Sequence, residues 1–159
     1  MSDEGTEGNG AANPADMPNF QVVAQYIKDL SFENPGAPTN LTARPEIEFA
    51  VDLQARRGDV EHFEVVMKLR VTAKNEGKPL FLLELAYAGL FRLANIPEEA
   101  LQQVLLIQAP FMLFPFARRI VADIVRDGGM PPLMIEPIDF VALYQAKLAQ
   151  GQISTIGNA

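Results

Sequence analysis

Apolar and polar residues alternate through the first half of the chain and change period in the second. From Phe20 to Glu33, the residues Phe20, Val22, Ala24, Tyr26, Leu30 and Phe32 fall on one side, with Lys28 out of phase. Gln21, Gln25, Asp29, Ser31 and Glu33 fall on the other, with Val23 and Ile27. Period two predicts a long strand with one wetter face. Asn34-Pro35-Gly36-Ala37-Pro38 ends it, because two prolines remove ladder donors. Glu46–Gln54 predicts a second strand, with Ile47, Phe49, Val51 and Leu53 on one side. Arg57-Gly58-Asp59 turns the chain into a third, His62–Lys74, which sets Phe63, Val65, Met67, Leu69 and Val71 opposite Glu64, Lys68, Arg70 and Thr72. A turn at 75–79 leads to a fourth, Leu80–Phe91. Four strands in series with short turns predict an antiparallel meander.

The second half carries helical signals. Asn95-Ile96-Pro97-Glu98 reads as a helix start, with a capping Asn, a first-turn Pro and a Glu in the box position. This helix is expected to run to about Gln108, with Pro110 and Pro115 breaking or kinking the segment beyond it. A long helix then reaches about Arg126, closed by Asp127-Gly128-Gly129. Pro131, Pro132 and Pro137 predict an extended linker. Asp139 caps a last helix to about Gln150, with Ile138 and Leu143 spaced as a hydrophobic staple. No internal repeat is visible. Strands first and helices after predict an α+β fold: a four-stranded antiparallel sheet with helices on one face.

Composition narrows the function. The 159 residues suit one domain with tails: residues 1–18 as a disordered acidic tail, 19–150 as the domain and 151–159 as a flexible tail without charged side chains. The first 18 residues hold Asp3, Glu4, Glu7 and Asp16 and no Lys or Arg, so the net charge of −7 is concentrated there. An acidic chain is a poor ligand for nucleic acid and a better one for a basic partner. The first 18 residues carry neither the basic start nor the apolar run expected of a secretory signal, and the longest apolar run, Val104–Phe116, is shorter than the ~20 residues a bilayer requires. A cytoplasmic protein without membrane insertion is expected.

Without Cys, disulfides and thiolate chemistry are excluded. The single His62 has only Glu61 and Glu64 as strand neighbours, so no nucleophilic triad can be assembled. Glu46, Glu48 and Asp52 share a strand face, which reads as a solvated side and not as a metal site. Gly128-Gly129 comes after a helix, where a phosphate loop would open one. No enzyme activity, cofactor or metal is expected.

Two segments suggest binding. Leu80–Phe91 is apolar on both faces apart from Glu84, so it is either a central strand in a larger core or a strand that a second subunit covers. Phe111–Phe116, FMLFPF, is either core or an adaptable surface of Met and Phe suited to many apolar partners.

Specific motifs resemble those of the SecB family of bacterial protein-export chaperones. Tyr26-Ile-Lys-Asp-Leu-Ser-Phe-Glu-Asn-Pro-Gly-Ala-Pro38 resembles its first-strand signature. Phe81-Leu-Leu-Glu-Leu85 through Ala88-Gly-Leu-Phe91 is similar to its fourth strand. Leu113-Phe-Pro-Phe-Ala-Arg118 is similar to the start of its long helix, and Pro131-Pro-Leu133 through Phe140 to its closing linker and helix. The likeness spans about residues 19–150 in unbroken order. It implies a homotetramer, a dimer of dimers with helices between two eight-stranded sheets. It also implies an ATP-independent chaperone that binds unfolded precursor proteins in the cytoplasm and delivers them to the translocase motor SecA.

Carried over residue by residue, the resemblance puts SecA contacts on Asp29, Glu33, Leu82 and Glu84, and an oligomer interface on Leu83, Leu85 and Tyr87. It makes Ile47, Phe49, Val51, Phe111, Met112, Phe114 and Phe116 candidates for a client groove. The chain departs from some relatives in two places. Thr39–Arg44 lacks the Trp of their loop, and Gly151–Ala159 lacks acidic residues at its end. The competing reading from another class is a structural adaptor that binds one folded partner through its sheet face.

Overall fold

The computed structural model describes residues 10, 13–38, 44–151 and 157–158. The loop at 39–43 and most of both expected tails lie outside the described residues. Within them the α+β reading holds: β1 (Asn19–Glu33), β2 (Glu46–Arg57), β3 (His62–Asn75) and β4 (Lys78–Ala94) form one antiparallel sheet, followed by helices.

The strand order is β1-β4-β3-β2, which corrects the expected simple meander. β2, β3 and β4 are consecutive hairpin neighbours, but β1 pairs with β4 along most of its length. The composition of β4 supplies the reason. A strand apolar on both faces gains most between two neighbours, and left at a sheet edge it would invite aggregation. A two-residue strand β5 (Gly157–Asn158), parallel to Arg56–Arg57, adds to the β2 edge.

β1 corrects a second expectation. Its pairing with β4 skips one residue at Val23 and another at Lys28. Each bulge reverses the alternation. Between them Gln25 and Ile27 stand opposite Gly89 and Tyr87, while Ala24 and Tyr26 turn to the other face. After the second bulge the original phase returns, with Leu30 opposite Leu85 and Phe32 opposite Leu83. The out-of-phase Lys28 marks this bulge in the sequence.

Helices cover the face that carries the odd-numbered residues of β3 and β4. Phe63, Met67, Leu69, Val71, Phe81, Leu83 and Phe91 are buried there, against Leu105, Leu113, Ala117 and Val121. Gly89 lets the layers meet. A Cβ at this position would lie 2.9 Å from Leu113 Cδ2 and 2.6 Å from the Phe91 ring.

The helical segment is continuous from α1 (Glu98–Gln103) through a π-turn (Val104–Gln108) into α2 (Ala109–Asp127), which corrects the expected break. Pro110 lacks an N–H, and its ring would strike the carbonyl four residues back. The widened turn, in which the Ala109 N–H donates to the Val104 carbonyl, takes up that misfit. Pro115 lies within α2. The resulting 30-residue helix is long and apolar enough to cross a membrane by length and composition alone, and its inner face is instead committed to the sheet. It ends as expected at Gly128-Gly129. Gly129 has φ +89°, its N–H donates to the Arg126 carbonyl and that of Met130 to the Val125 carbonyl.

Asn95 does not cap α1. Its own φ is +59°, and α1 begins after Pro97. The Asn95 amide instead donates to the carbonyls of Ala15 (2.7 Å) and Met17 (3.1 Å). It thereby holds a short 3₁₀ turn, Pro14–Asp16, so the structured chain starts ahead of residue 19. α3 (Phe140–Ala149) is capped by Asp139, whose side chain accepts from the Ala142 N–H at 3.0 Å. Ile138 and Leu143 are half-buried against the core.

Candidate functional surfaces

The outer face of the sheet carries the even-numbered residues of β4 and the residues opposite them. Glu33 stands opposite Leu82, Ser31 opposite Glu84 and Asp29 opposite Ala86. With neighbouring strands ~4.8 Å apart and alternate residues ~7 Å apart, Asp29, Glu33, Leu82 and Glu84 fall on one surface about 13 Å long. The four residues assigned to SecA are thus brought together on the side away from the helices.

The surface is not purely acidic. β3 sets Lys68 beside Ala86, Arg70 beside Glu84 and Thr72 beside Leu82. The Arg70 guanidinium lies 3.6 Å from the Glu84 carboxylate. Asp29, Asp52, Glu64, Lys68, Arg70 and Glu84 border a concavity of about 670 Å³ in this face. Reading each strand alone placed Lys68 and Arg70 on a polar side. Only the β3–β4 register brings them next to the acids.

One network ties the edge strand to the sheet interior. Glu64 on β3 accepts from the Tyr26 hydroxyl at 2.5 Å and from Lys28 Nζ at 2.9 Å. Both donors come from β1, with β4 lying between, and the small Ala86 and Ala88 leave room for them to cross. Burial, then the hydrogen bond to Glu64 and its negative charge, raise the Tyr26 pKa to about 12. Burial alone would raise the Glu64 pKa. The bonds from Tyr26 and Lys28 and the charges of Lys28 and Arg56 outweigh it and hold the carboxyl below its ordinary value.

Leu83, Leu85 and Tyr87 project to the opposite face and are 0%, 2% and 7% exposed within a single chain. Within the chain, α2 and β1 cover these three side chains. The Tyr87 hydroxyl donates to Gln25 Oε1 at 2.9 Å, a partner turned inward by the β1 bulge. β4 lies between β1 and β3 in the sheet, as a central strand does.

The seven client-groove candidates divide. Phe114 is 5% exposed and meets Phe140 edge-on, so it belongs to the core. Phe111 is 71% exposed, and Met112 and Phe116 are also exposed on α2. Phe111 and Met112 line an apolar concavity of about 530 Å³ with Phe20, Ile107 and Phe140. Ile47 borders a second, of about 320 Å³, with Leu80, Phe81, Met130 and Leu133. Phe49 is exposed and Val51 half-buried on the same face of β2 as Ile47.

His62 opens β3 where the chain leaves the turn at Asp59. Asp59 accepts from its backbone N–H at 2.8 Å and lies 2.9 Å from its Nδ1. Among the described residues no group of three His or acidic side chains is placed to hold a metal ion. Glu46 and Asp52 face Lys74 and Lys68 across the β2–β3 ladder.

Comparison with known proteins agrees with this geometry. The family model described as preprotein translocase subunit SecB matches residues 13–151. The protein-export protein SecB of Parvibaculum lavamentivorans is 50% identical over 157 residues, covering 94% of each chain. That of Xanthobacter autotrophicus is 51% identical over 145 residues, covering 89% of this chain and 93% of its own. That of Paramagnetospirillum magneticum is 53% identical over 139 residues, covering 85% and 89%. A solved structure of a Mycobacterium tuberculosis SecB-like chaperone, in complex with an antitoxin peptide, superposes with a TM-score of 0.65 at 18% identity. The overlap covers 75% of this chain and 90% of that one, and at this identity it bears on the fold. With its sheet, its helical layer and most of its length matched, the chain belongs to the SecB family of protein-export chaperones.

Proposed function

We propose that this chain is an ATP-independent holdase that keeps precursor proteins unfolded in the cytoplasm and passes them to SecA. It works as a homotetramer, a dimer of dimers, and carries out no covalent chemistry. The observation that carries this reading is the opposition of two surfaces: exposed Phe111, Met112 and Phe116 on the helical layer, and the charged residues Asp29, Glu33 and Glu84 on the sheet's outer face. Short apolar segments of an unfolded chain are each held weakly, and several held at once become tight. The charged face leaves SecA free to dock while a client is bound, its charges acting chiefly on encounter rate and specificity. Support also comes from the peptide bound to the M. tuberculosis SecB-like chaperone.

The test is refolding of a slow-folding precursor with the purified protein at several-fold excess. The expected result is arrested refolding, released on adding SecA and a translocation-competent membrane. Unchanged refolding yield and rate would overturn the reading.

A further inference from the structure

We propose that the ion pair between Asp52 and Lys147 couples the sheet's outer face to the apolar concavity beside α3: a basic partner that takes Asp52 from Lys147 loosens α3 and speeds release of what the concavity holds. The inference rests on the proposed SecA docking at the outer face and on client binding at Phe111 and Met112.

Three observations carry it. First, Asp52 belongs to the outer face. Asp52, Lys68, Ala86 and Asp29 are successive partners in one row across β2, β3, β4 and β1. At ~4.8 Å per strand, Asp52 stands about 14 Å from Asp29. It borders the same concavity as Asp29 and Glu84, and its side chain is 56% exposed, so a docked partner can reach it. Second, α3 forms one wall of the apolar concavity. Phe140 and Val141, in its first turn, line that space with Phe111 and Met112. Phe140 and Tyr144 are buried, while Val141 and Leu148 are exposed. A ten-residue helix is marginal by itself, so its contacts decide how often it opens. Third, Lys147 is the one charged residue of α3, and its Nζ donates to the Asp52 carboxylate at 2.9 Å. The Lys147 side chain is only 19% exposed, so its stem is largely covered on the way to Asp52. A cation docking beside Asp52 shares its carboxylate and repels Lys147. The last turn of α3 then loses its tie to the sheet. The coupling is reciprocal: what docking does to client affinity, the client does to docking.

The test uses the full-length protein and three readouts: dissociation rate of an unfolded precursor, SecA affinity by calorimetry, and amide hydrogen exchange in α3. Lys147→Met keeps the aliphatic stem and drops the charge. It is expected to speed precursor dissociation and α3 exchange about threefold. It is also expected to raise SecA affinity about threefold, because Asp52 is then free to meet the partner. A residue that only stabilised the fold would not tighten a partner on the opposite face. Saturating SecA should speed precursor dissociation from the wild type and lose that effect on Lys147→Met. Combining Asp52→Lys with Lys147→Asp rebuilds the pair with its charges reversed. This double variant is expected to return α3 exchange and precursor dissociation to wild-type values while SecA binds less tightly. Wild-type α3 exchange or unraised SecA affinity in Lys147→Met, or no recovery in the reversed pair, would overturn the inference. Glu84→Lys and Phe111→Ala separate the levels: if the first leaves SecA affinity unchanged and the second leaves client retention unchanged, the two surfaces themselves are misassigned.

Discussion

The side-chain amide of Asn34 donates a 3.0 Å hydrogen bond to the carbonyl of Gly128, joining the end of β1 to the end of α2. Phe32, two residues earlier, rests its ring against the same glycine: a Cβ on Gly128 would lie 2.8 Å from Phe32 Cζ. Phe32 also meets Phe81 with ring centroids 5.7 Å apart. The motif Ser31-Phe32-Glu33-Asn34 thus places one acid on the outer face while two neighbours fasten the strand to the helical layer.

Gly128→Ala is expected to destabilise the chain by about 1–3 kcal/mol, the usual cost of overpacking. The backbone is not the cause, since φ at Gly128 is −76°. Asn34→Ala is expected to cost about 1 kcal/mol through the lost hydrogen bond. Urea unfolding of both variants checks this, and a neutral Gly128→Ala would mean that the Phe32 ring moves aside freely.

Phe111 and Phe114 lie within one turn of α2 and predict opposite outcomes. Phe114→Ala opens the core and should cost about 3–5 kcal/mol in denaturant unfolding. Phe111→Ala removes a side chain that is 71% exposed and should change the stability of the chain by under about 0.5 kcal/mol. Its loss is expected in client retention instead. Equal stability losses would place Phe111 in the core.

The apolar runs already distinguished these layers in part. The alternation of β3 predicts the residues it buries under the helices, because its pairing with both neighbours is regular and no bulge intervenes before Ala73, while Val66 is buried on the other face as well. In β1 the same rule fails between Ala24 and Ile27, since two single-residue bulges cancel over the strand and leave its ends in phase. Lys28 on an apolar face was the legible sign. Asn95 had the sequence context of a cap, but whether its amide faces the helix or residues 15–17 depends on a left-handed backbone that no local pattern reveals. The residues proposed to dock SecA are legible through a motif, while the neighbouring Lys68 and Arg70 require the register between β3 and β4. Leu83, Leu85 and Tyr87 share their alternation with any covered face. Only the position of α2 shows that their own chain provides the cover.

Glu84→Lys replaces an attraction to Arg70, now 3.6 Å away, with a repulsion on an open surface. Exposed pairs of this kind contribute at most about 1 kcal/mol, so folding should be little affected. SecA affinity is expected to fall while native mass and client retention hold. A parallel loss of all three would make Glu84 a structural residue.

The Glu64 network gives a pH dependence of defined sign. The folded-state pKa of Glu64 lies below its ordinary value, so the unfolded chain binds this proton more readily. Stability from the network is therefore fully present above the unfolded carboxyl value of about 4.3. It is lost as pH falls through the lower folded value. Tyr26, with its pKa raised to about 12, keeps its hydroxyl proton throughout the neutral and mildly alkaline range and continues to donate to Glu64. Thermal unfolding of the wild type and Glu64→Gln should accordingly differ by a constant amount from about pH 6 to about pH 8, with the gap closing below about pH 4. A gap that widened on acidification would mean that the carboxyl is protonated more readily in the folded chain, and that Tyr26 and Lys28 do not hold its charge.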